Sequence, residues 1–349
     1  MLKRIVWVLV FTLPLLSTLT LAGRPYAFDL PTLIPGDVNR DNTVDIVDVV
    51  IVSAAFGSKP SDPVWNSDAD INFDGLINIV DLAIVAVHFG AHAVFSGWRS
   101  SPYGFQQEAE PAYWIDAAKY MASKINNSVP SGVWILGESL GRRCRLNFPS
   151  SEVYPNVTFS STDQSERYLE AFDAAGLKVW LQVEPADAEV EKLIDLVLGR
   201  YHQHSCVIGF GIDVEWLQAE EFTDGRQINN QEAQRWLNRV KSYDPDYKLF
   251  LKHWLIEKMP TSYANDTVFV CDGQEYNSIY ALVQDFKWWG VHFAGSEVYY
   301  QIGYASDEEW WSRLSDPFQA ISNRLYSEIP NCYGVYWVDF TLPTVYPPD

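Results

Sequence analysis

The chain has 349 residues and carries 45 Asp and Glu against 25 Lys and Arg, a formal charge of −20. A surface this acidic repels nucleic acid and anionic lipid, and no basic patch offsets it, so neither is expected as a partner. Four cysteines (Cys144, Cys206, Cys271, Cys332) are too few and too scattered for a disulfide scaffold or a zinc site; one or two disulfides would fit, and the spacing selects no pairing.

Residues 1–22 read as a secretory signal. Lys3 and Arg4 precede an apolar run, and Thr20-Leu21-Ala22 offers a cleavage site. The run is nearly long enough to span a bilayer, so membrane attachment is expected only if the segment stays uncleaved. Pro14 and the small residues at its end favour cleavage. The expected location is extracellular or at the cell surface.

Two copies of one acidic pattern follow. Asp37, Asn39, Asp41, Asp45 and Asp48 occupy positions 1, 3, 5, 9 and 12 of the first loop; Asp70, Asn72, Asp74, Asn78 and Asp81 repeat that spacing in the second. Hard oxygen ligands at alternate positions are how a loop curls around Ca²⁺, so two calcium sites are expected. Each loop runs into an apolar helical stretch that ends in Phe-Gly (Phe56-Gly57 and Phe89-Gly90). Position 6 is Gly75 in the second loop and Asn42 in the first, and Asn tolerates the left-handed conformation needed there. Asp in place of Glu at position 12, and Pro35-Gly36 where an entering helix would stand, separate the pair from an ordinary EF-hand.

A duplicated loop-helix unit of this kind resembles the type I dockerin, and the resemblance covers residues 35–90. It implies a small all-α, calcium-dependent plug that docks secreted enzymes onto a cohesin-type protein. It also implies that Ile46-Val47 and Ile79-Val80, just before position 12, read that partner. The residues themselves leave open that these four are core, or that the module packs against its own chain.

From residue 93 to 349 the composition turns rich in Trp and Tyr, and about 255 residues is the usual size of one (β/α)₈ barrel. β-rich segments are expected near 133–138, 157–162, 178–184, 207–215, 247–254, 267–272, 298–303 and 333–340. Amphipathic helices are expected at Asp187–Tyr201, Gln231–Tyr243, Ile279–Phe293 and Asp307–Tyr326. Strands alternating with helices call for a parallel sheet, and this length favours closure into a TIM-type barrel. The crossover around Ile256–Tyr263 is the shortest.

Period two then sorts each strand into an inner and an outer face. In Val207–Glu215, Ile208, Phe210, Ile212 and Val214 suit packing against helices, leaving Gly209, Gly211, Asp213 and Glu215 inside. In Lys178–Glu184 the inner set is Trp180, Gln182 and Glu184. The last strand places Trp337 and Asp339 on one parity, and the seventh offers Tyr299 and Gln301. Together with Glu138, His253 and Asp272, these residues gather polar groups at the C-terminal rim, where barrel enzymes keep their active sites. Buried acids cost too much free energy to cluster without a partner or a task.

Carboxylates beside aromatic platforms suit glycosidic cleavage. One acid of raised pKa protonates the leaving oxygen while another stabilises the oxocarbenium-like centre. The stretch Gly209-Phe210-Gly211-Ile212-Asp213-Val214-Glu215-Trp216 is similar to the fourth-strand signature of chitinase-like (family 18) glycoside hydrolases. That resemblance implies Glu215 as general acid, oriented by Asp213; Gly211 and Ile208 stand where the family has two earlier aspartates. Gly334-Val335-Tyr336-Trp337-Val338-Asp339 is similar to a last strand whose Trp floors the sugar site. The second carboxylate is expected to be Asp272 or Glu184, since Glu297 precedes its strand, at the wrong end. Trp337, Asp339, Gln301, Tyr299, His253, Glu138 and Trp180 are the expected substrate contacts. No cofactor is expected in the barrel.

The resulting expectation is a secreted glycoside hydrolase acting on a polysaccharide and anchored through a dockerin. The alternative is a non-catalytic carbohydrate-binding or surface-structural barrel displayed in the same way.

Overall fold

A computed structural model describes residues 34–41, 43–105, 109–219, 224–264 and 266–348. Residues 1–22, read above as a secretory signal, and Asn42 lie outside the described residues. Among the described residues, no helix is long and apolar enough to cross a membrane.

Two short helices, α1 (Ile46–Ala54) and α2 (Ile79–His88), each begin at the end of an acidic loop. Asp45 and Asn78 accept from the backbone N–H of Val47 and Val80 at 2.7 Å, while Asp48 and Asp81 accept from the N–H of Asp45 and Asn78 at 2.8 Å. Loop positions 9 and 12 therefore double as capping boxes that start the helices. The two units then lock together reciprocally. Gly57 donates to the Ile77 carbonyl (2.7 Å) and Ile77 to Ser58 (3.1 Å); Gly90 donates to Val44 (2.8 Å) and Val44 to Ala91 (2.8 Å). Gly57 and Gly90 sit at φ +82° and +85°, where a Cβ would be strained. Val38, Val44, Val52, Ile77 and Val85 fill the space between, and this core runs on into Ala93 and Val129. His92 also stacks on Tyr333 at 4.0 Å. The module thus seats against the N-terminal ends of the strands that follow.

Those strands are β1 (Val94–Ser100), β2 (Ser128–Leu140), β3 (Arg143–Leu146), β4 (Val157–Phe159), β5 (Lys178–Val183), β6 (Val207–Asp213), β7 (Lys248–Lys252), β8 (Thr267–Cys271), β9 (Val298–Ile302) and β10 (Cys332–Val338). The order β1-β10-β9-β8-β7-β6-β5-β2 is parallel throughout and closes through β1–β2, giving an eight-stranded barrel. Helices α3 (Pro111–Ala122), α4 (Glu166–Ala175), α5 (Val190–Tyr201), α6 (Asn230–Lys241), α7 (Ile279–His292), α8 (Glu308–Trp311) and α9 (Pro317–Glu328) surround it, and α10 (Leu342–Val345) follows the last strand. Among the described residues only a 3₁₀ turn, Ile256–Lys258, intervenes between β7 and β8, as the short crossover anticipated. The helix expected over 307–326 breaks at 312–316, where Asp316 caps α9 and Pro317 fills its first turn.

One strand assignment needs correction. Segment 157–162 is not a barrel strand: β4 is three residues long and pairs with β3, which itself extends β2 as an antiparallel hairpin. The first barrel strand is β1, which the sequence reading passed over. Its inner face, Phe95, Gly97 and Arg99, is neither uniformly apolar nor alternating, so its periodicity is weak. One strand lost and one gained leave Asp213 at the end of barrel strand four.

Inside the barrel, Val133, Trp180, Phe250, Val268, Val270, Tyr299 and Tyr336 form a closed plug. Trp180 meets Phe250 edge-on at 5.3 Å and Tyr299 at 5.7 Å. Gly209 and Gly211 are the complement of these rings, since a Cβ on Gly209 would overlap Trp180 and one on Gly211 would overlap Phe250. All four cysteines are buried and free, so no disulfide supports the fold among the described residues. Gly211→Ala should therefore lower stability by roughly 1–3 kcal/mol through overpacking. Urea unfolding checks this, and Phe250→Leu in the same chain should recover part of the loss.

Candidate functional site at the barrel rim

Above the aromatic plug the inner faces turn polar. Lys252, the last residue of β7, is 2 % exposed, with Nζ 2.9 Å from Asp213 Oδ2, 2.5 Å from Asp272 Oδ2 and 3.6 Å from Glu215 Oε2. Gln182 Nε2 also donates to Asp213 Oδ2 (3.2 Å). Burial alone would depress the ammonium, but the three carboxylates outweigh it and hold Lys252 well above its ordinary value. The three carboxylates thus favour its charged form.

A second cluster adjoins the first. Arg99 from β1 pairs with Asp339 (3.2 Å), which also accepts from the Ser101 N–H (2.7 Å) and hydroxyl (3.0 Å). Arg99 Nη2 donates to the Tyr103 hydroxyl (3.3 Å), which donates to Glu184 Oε1 (2.5 Å), and the Ser139 N–H holds Glu184 Oε2 (2.8 Å).

The carboxylates differ in how they are held. Glu215 sits in the turn Val214–Trp216 just beyond β6, its side chain 29 % exposed. Burial, opposed by Lys252 and reinforced by Asp213, Asp272 and Glu184, raises it to about 7. Glu184 is also raised to about 7, by burial and by the Asp213 charge, against the pull of its hydrogen bonds and Arg99. Burial likewise raises Asp213 and Asp339. Several buried polar atoms have no partner among the described residues: Asp213 Oδ1, Asp272 Oδ1, Gln182 Oε1 and Gln301 Nε2. Unpartnered polar groups at one end of a barrel call for donors and acceptors from outside the chain.

Asp213, Glu215, Asp272, Glu184, Asp339 and Gln301 thus converge, and the other expected contacts do not. Trp337 faces the helices rather than the barrel mouth. It is fully buried, packs edge-on against Trp311 (5.1 Å), and donates its indole N–H to Thr341 Oγ1 (2.9 Å). The inner parity of β10 belongs to Gly334 and Tyr336, and Asp339 points inward because the strand has already ended. Trp180 and Tyr299 are plug residues, and the Tyr299 hydroxyl lies 3.5 Å from Glu297 at the opposite end. Glu297 itself pairs there with Lys248 at 2.5 Å. His253 accepts from the Leu255 N–H at Nδ1 (2.9 Å) and donates from Nε2 to the Asp224 carbonyl (2.8 Å), and burial lowers its pKa. It is a neutral brace for two loops. Glu138 pairs with Arg145 across the β2–β3 hairpin.

Lys252, Arg99 and Tyr103 were missed. Parity could have flagged Lys252, since Lys248, Phe250 and Lys252 share one face of β7; Arg99 was lost with its strand. The stretch Gly137-Glu138-Ser139-Leu140-Gly141 also matches the Gly-x-Ser-x-Gly pattern of serine hydrolases. Ser139, however, lies in an antiparallel hairpin opposite Cys144 rather than at a strand-to-helix turn, and its hydroxyl donates to the Gly141 carbonyl at 3.4 Å.

In the N-terminal module the two acidic loops fold alike. Asp41 donates its N–H to Asp37 Oδ1 (3.2 Å) and Asn39 Oδ1 (3.0 Å), and Asp74 does the same to Asp70 (3.1 Å) and Asn72 (3.1 Å). Asp48, Asp70 and Asp81 are buried, and none forms an ion pair with Lys, Arg or His among the described residues. Buried anions compensated only by dipoles fit a loop that awaits a cation. Within the described residues no group of three or more His, Cys, Asp or Glu is gathered closely enough to hold a metal. Ile46, Val47, Ile79 and Val80 are 45–67 % exposed, so they are not core.

The sequence matches the dockerin type I domain family over residues 35–89. No curated protein matches the chain. Among solved structures it is similar to a β-glucuronidase from an uncultured Clostridium (12 % identity, TM-score 0.45, 71 % of this chain and 44 % of that one). It is also similar to a β-D-glucuronidase from Dictyoglomus thermophilum (13 %, 0.43, 70 % and 44 %) and to an endocellulase from Pyrococcus horikoshii complexed with cellotetraose (13 %, 0.41, 71 % and 85 %). The chain spans less than half the length of the two glucuronidases. The barrel assignment rests on its own closed strand order. Type I dockerin domains bind calcium and dock onto cohesins, and proteins that carry them are typically extracellular. Residues 35–89, with their paired calcium-type loops and reciprocal backbone lock, are a type I dockerin domain at the foot of a (β/α)₈ barrel.

Proposed function

We propose that the protein is an exported glycoside hydrolase acting on a polysaccharide, held to a cohesin-type partner by its dockerin. The observation that carries the hydrolase reading is Glu215: a partly exposed carboxylic acid just beyond barrel strand four, raised to about 7 beside buried, charge-compensated Asp213. A carboxyl group with that pKa is protonated enough near neutrality to donate to a leaving oxygen and basic enough to recover. Asp213, fixed by Lys252 and Gln182, keeps the Glu215 proton in place electrostatically. Asp272 and Glu184 are the candidates for the second carboxylate of a two-acid mechanism. Asp272 has one free oxygen at the mouth, whereas Glu184 has both oxygens engaged.

The pairing of Asp213 and Asp272 with Lys252 favours one other reading, a barrel that binds glycans without cleaving them. Reducing-sugar release from a polysaccharide panel separates the two, with Glu215→Gln beside wild type. The hydrolase reading expects release, and a loss of about 10²–10⁴-fold in the variant with unchanged unfolding. Retention on a polymer without release supports the binding reading.

The calcium sites belong at Asp37, Asn39, Asp41, Asp45 and Asp48, and at Asp70, Asn72, Asp74, Asn78 and Asp81. Calcium there would neutralise the loop anions and tie each loop to the helix it caps. Ile46-Val47 and Ile79-Val80, exposed in both repeats, supply the apolar docking face. Residues 1–22 would direct export.

Activity should fall as pH rises through about 7, because the required acid form of Glu215 is lost above that value. The alkaline limb of the kcat/KM profile measures this. Lys252→Met should cost roughly 3–5 kcal/mol by leaving Asp213 and Asp272 buried without their cation. Chemical denaturation checks the loss, and Asp213→Asn in the Lys252→Met chain should restore part of it. Chelation of calcium should open residues 35–89 to protease while the barrel stays protected; a module that resists digestion equally with and without chelator would rule out the calcium assignment.

A further inference from the structure

A cleft of about 590 Å³ runs outward from the acid cluster at Asp272. It lies where the ring of helices is incomplete: β7 is followed only by the turn Ile256–Lys258, so the flank between that segment and α7 stays open. Trp254, Tyr276 and Trp288 line it, and Trp288 is 62 % exposed. An indole left this open on a helix forfeits burial unless something stacks on it. Tyr276 is fixed for such contact, its N–H on Asp307 (2.6 Å) and its hydroxyl on Asp285 (2.6 Å). Glu275 beside it also lines the cleft and holds φ +69°, a strained conformation for a non-glycine residue.

The inner end of the cleft carries the stronger signal. Asp272 is 3 % exposed and lines the cleft; Oδ2 is bound to Lys252, while Oδ1 is buried without a partner. An acceptor in that state lacks a donor from outside the chain. The rest of the lining adds Glu257, Glu275 and Asp285, and no Lys, Arg or His lines it among the described residues.

We infer that this cleft is a sugar subsite continuous with the acid cluster, built for a ring that bears no acid group and binding most tightly one with a free amino group. The aromatic walls supply stacking, Asp272 Oδ1 accepts from a hydroxyl or ammonium, and the surrounding carboxylates repel uronate and sulfated sugars. This inference rests on the glycosidase reading of the rim and names the substrate class it would take.

Calorimetric titration of the full chain carrying Glu215→Gln tests it with three probes: a glucosamine hexamer, cellohexaose and a galacturonate hexamer. The glucosamine hexamer should bind about fivefold tighter than cellohexaose at low salt, as one partly exposed ion pair allows, with the advantage shrinking as salt rises. The galacturonate hexamer should not bind. Trp288→Ala and Trp254→Ala should each weaken both bound hexamers without altering thermal unfolding. The double variant Glu257→Gln with Glu275→Gln should erase the preference for the amino sugar and leave cellohexaose binding intact. Binding of the galacturonate hexamer, affinity indifferent to both Trp substitutions, or no binding of any hexamer would each overturn the subsite. Reducing-sugar release by the wild-type chain reports separately on the glycosidase reading, so the two can fail independently.

Discussion

The upper half of the barrel depends on one buried cation. Lys252 Nζ stands among Asp213, Asp272 and Glu215, and without it the end of strand four would face the end of strand six as two desolvated anions. Removing an ion from water costs several kcal/mol, and only a close partner offsets that. Lys252 therefore fixes which acids have a buried counter-charge. Asp213 and Asp272 take its short contacts, and Glu215, at 3.6 Å and partly exposed, is left with a proton affinity near neutrality. A division of roles among neighbouring carboxyl groups follows from geometry alone.

The layer beneath makes this arrangement rigid. Trp180, Phe250, Tyr299 and Tyr336 close the barrel completely, and Gly209 and Gly211 on the acid-bearing strand give the rings their room. The same strand thus spends its lower inner positions on having no side chain and its upper ones on charge. Arg99, Tyr103 and the β2–β3 hairpin form a second wall that holds Glu184 by both oxygens. The dockerin sits at the other end, against the start of β2 and Tyr333, so the site and the attachment module occupy opposite ends of the strands.

Much of this was legible in the chain. The dockerin was read from two loops with identical oxygen spacing, because ligand geometry and helix capping are local and repeat in register. The alternation in Lys178–Val183, and Gly209, Gly211 and Asp213 of β6, were read correctly for a similar reason: residues two apart share a face wherever a strand is regular, whereas Glu215 sits in the turn beyond β6 rather than on the strand expected over 207–215. Where strands end or begin irregularly, that rule failed. Trp337 was assigned to the mouth with Asp339, yet β10 stops at Val338 and the two side chains part. Arg99 was invisible while β1 was unread, and segment 157–162 passed for a barrel strand on propensity that Val157–Phe159 uses in pairing with β3 outside the barrel.

The sequence by itself determined the modular order, the calcium-type loops, the barrel and the acidic pair after strand four, since each is written within a dozen neighbouring residues or in the count of alternating elements. The tertiary structure alone decided which acid is compensated and which is poised. It also decided which aromatics plug the barrel and which line an open flank. Those outcomes depend on Lys252, Arg99 and Tyr103 reaching across from other strands and loops, and on burial, which no local spacing encodes.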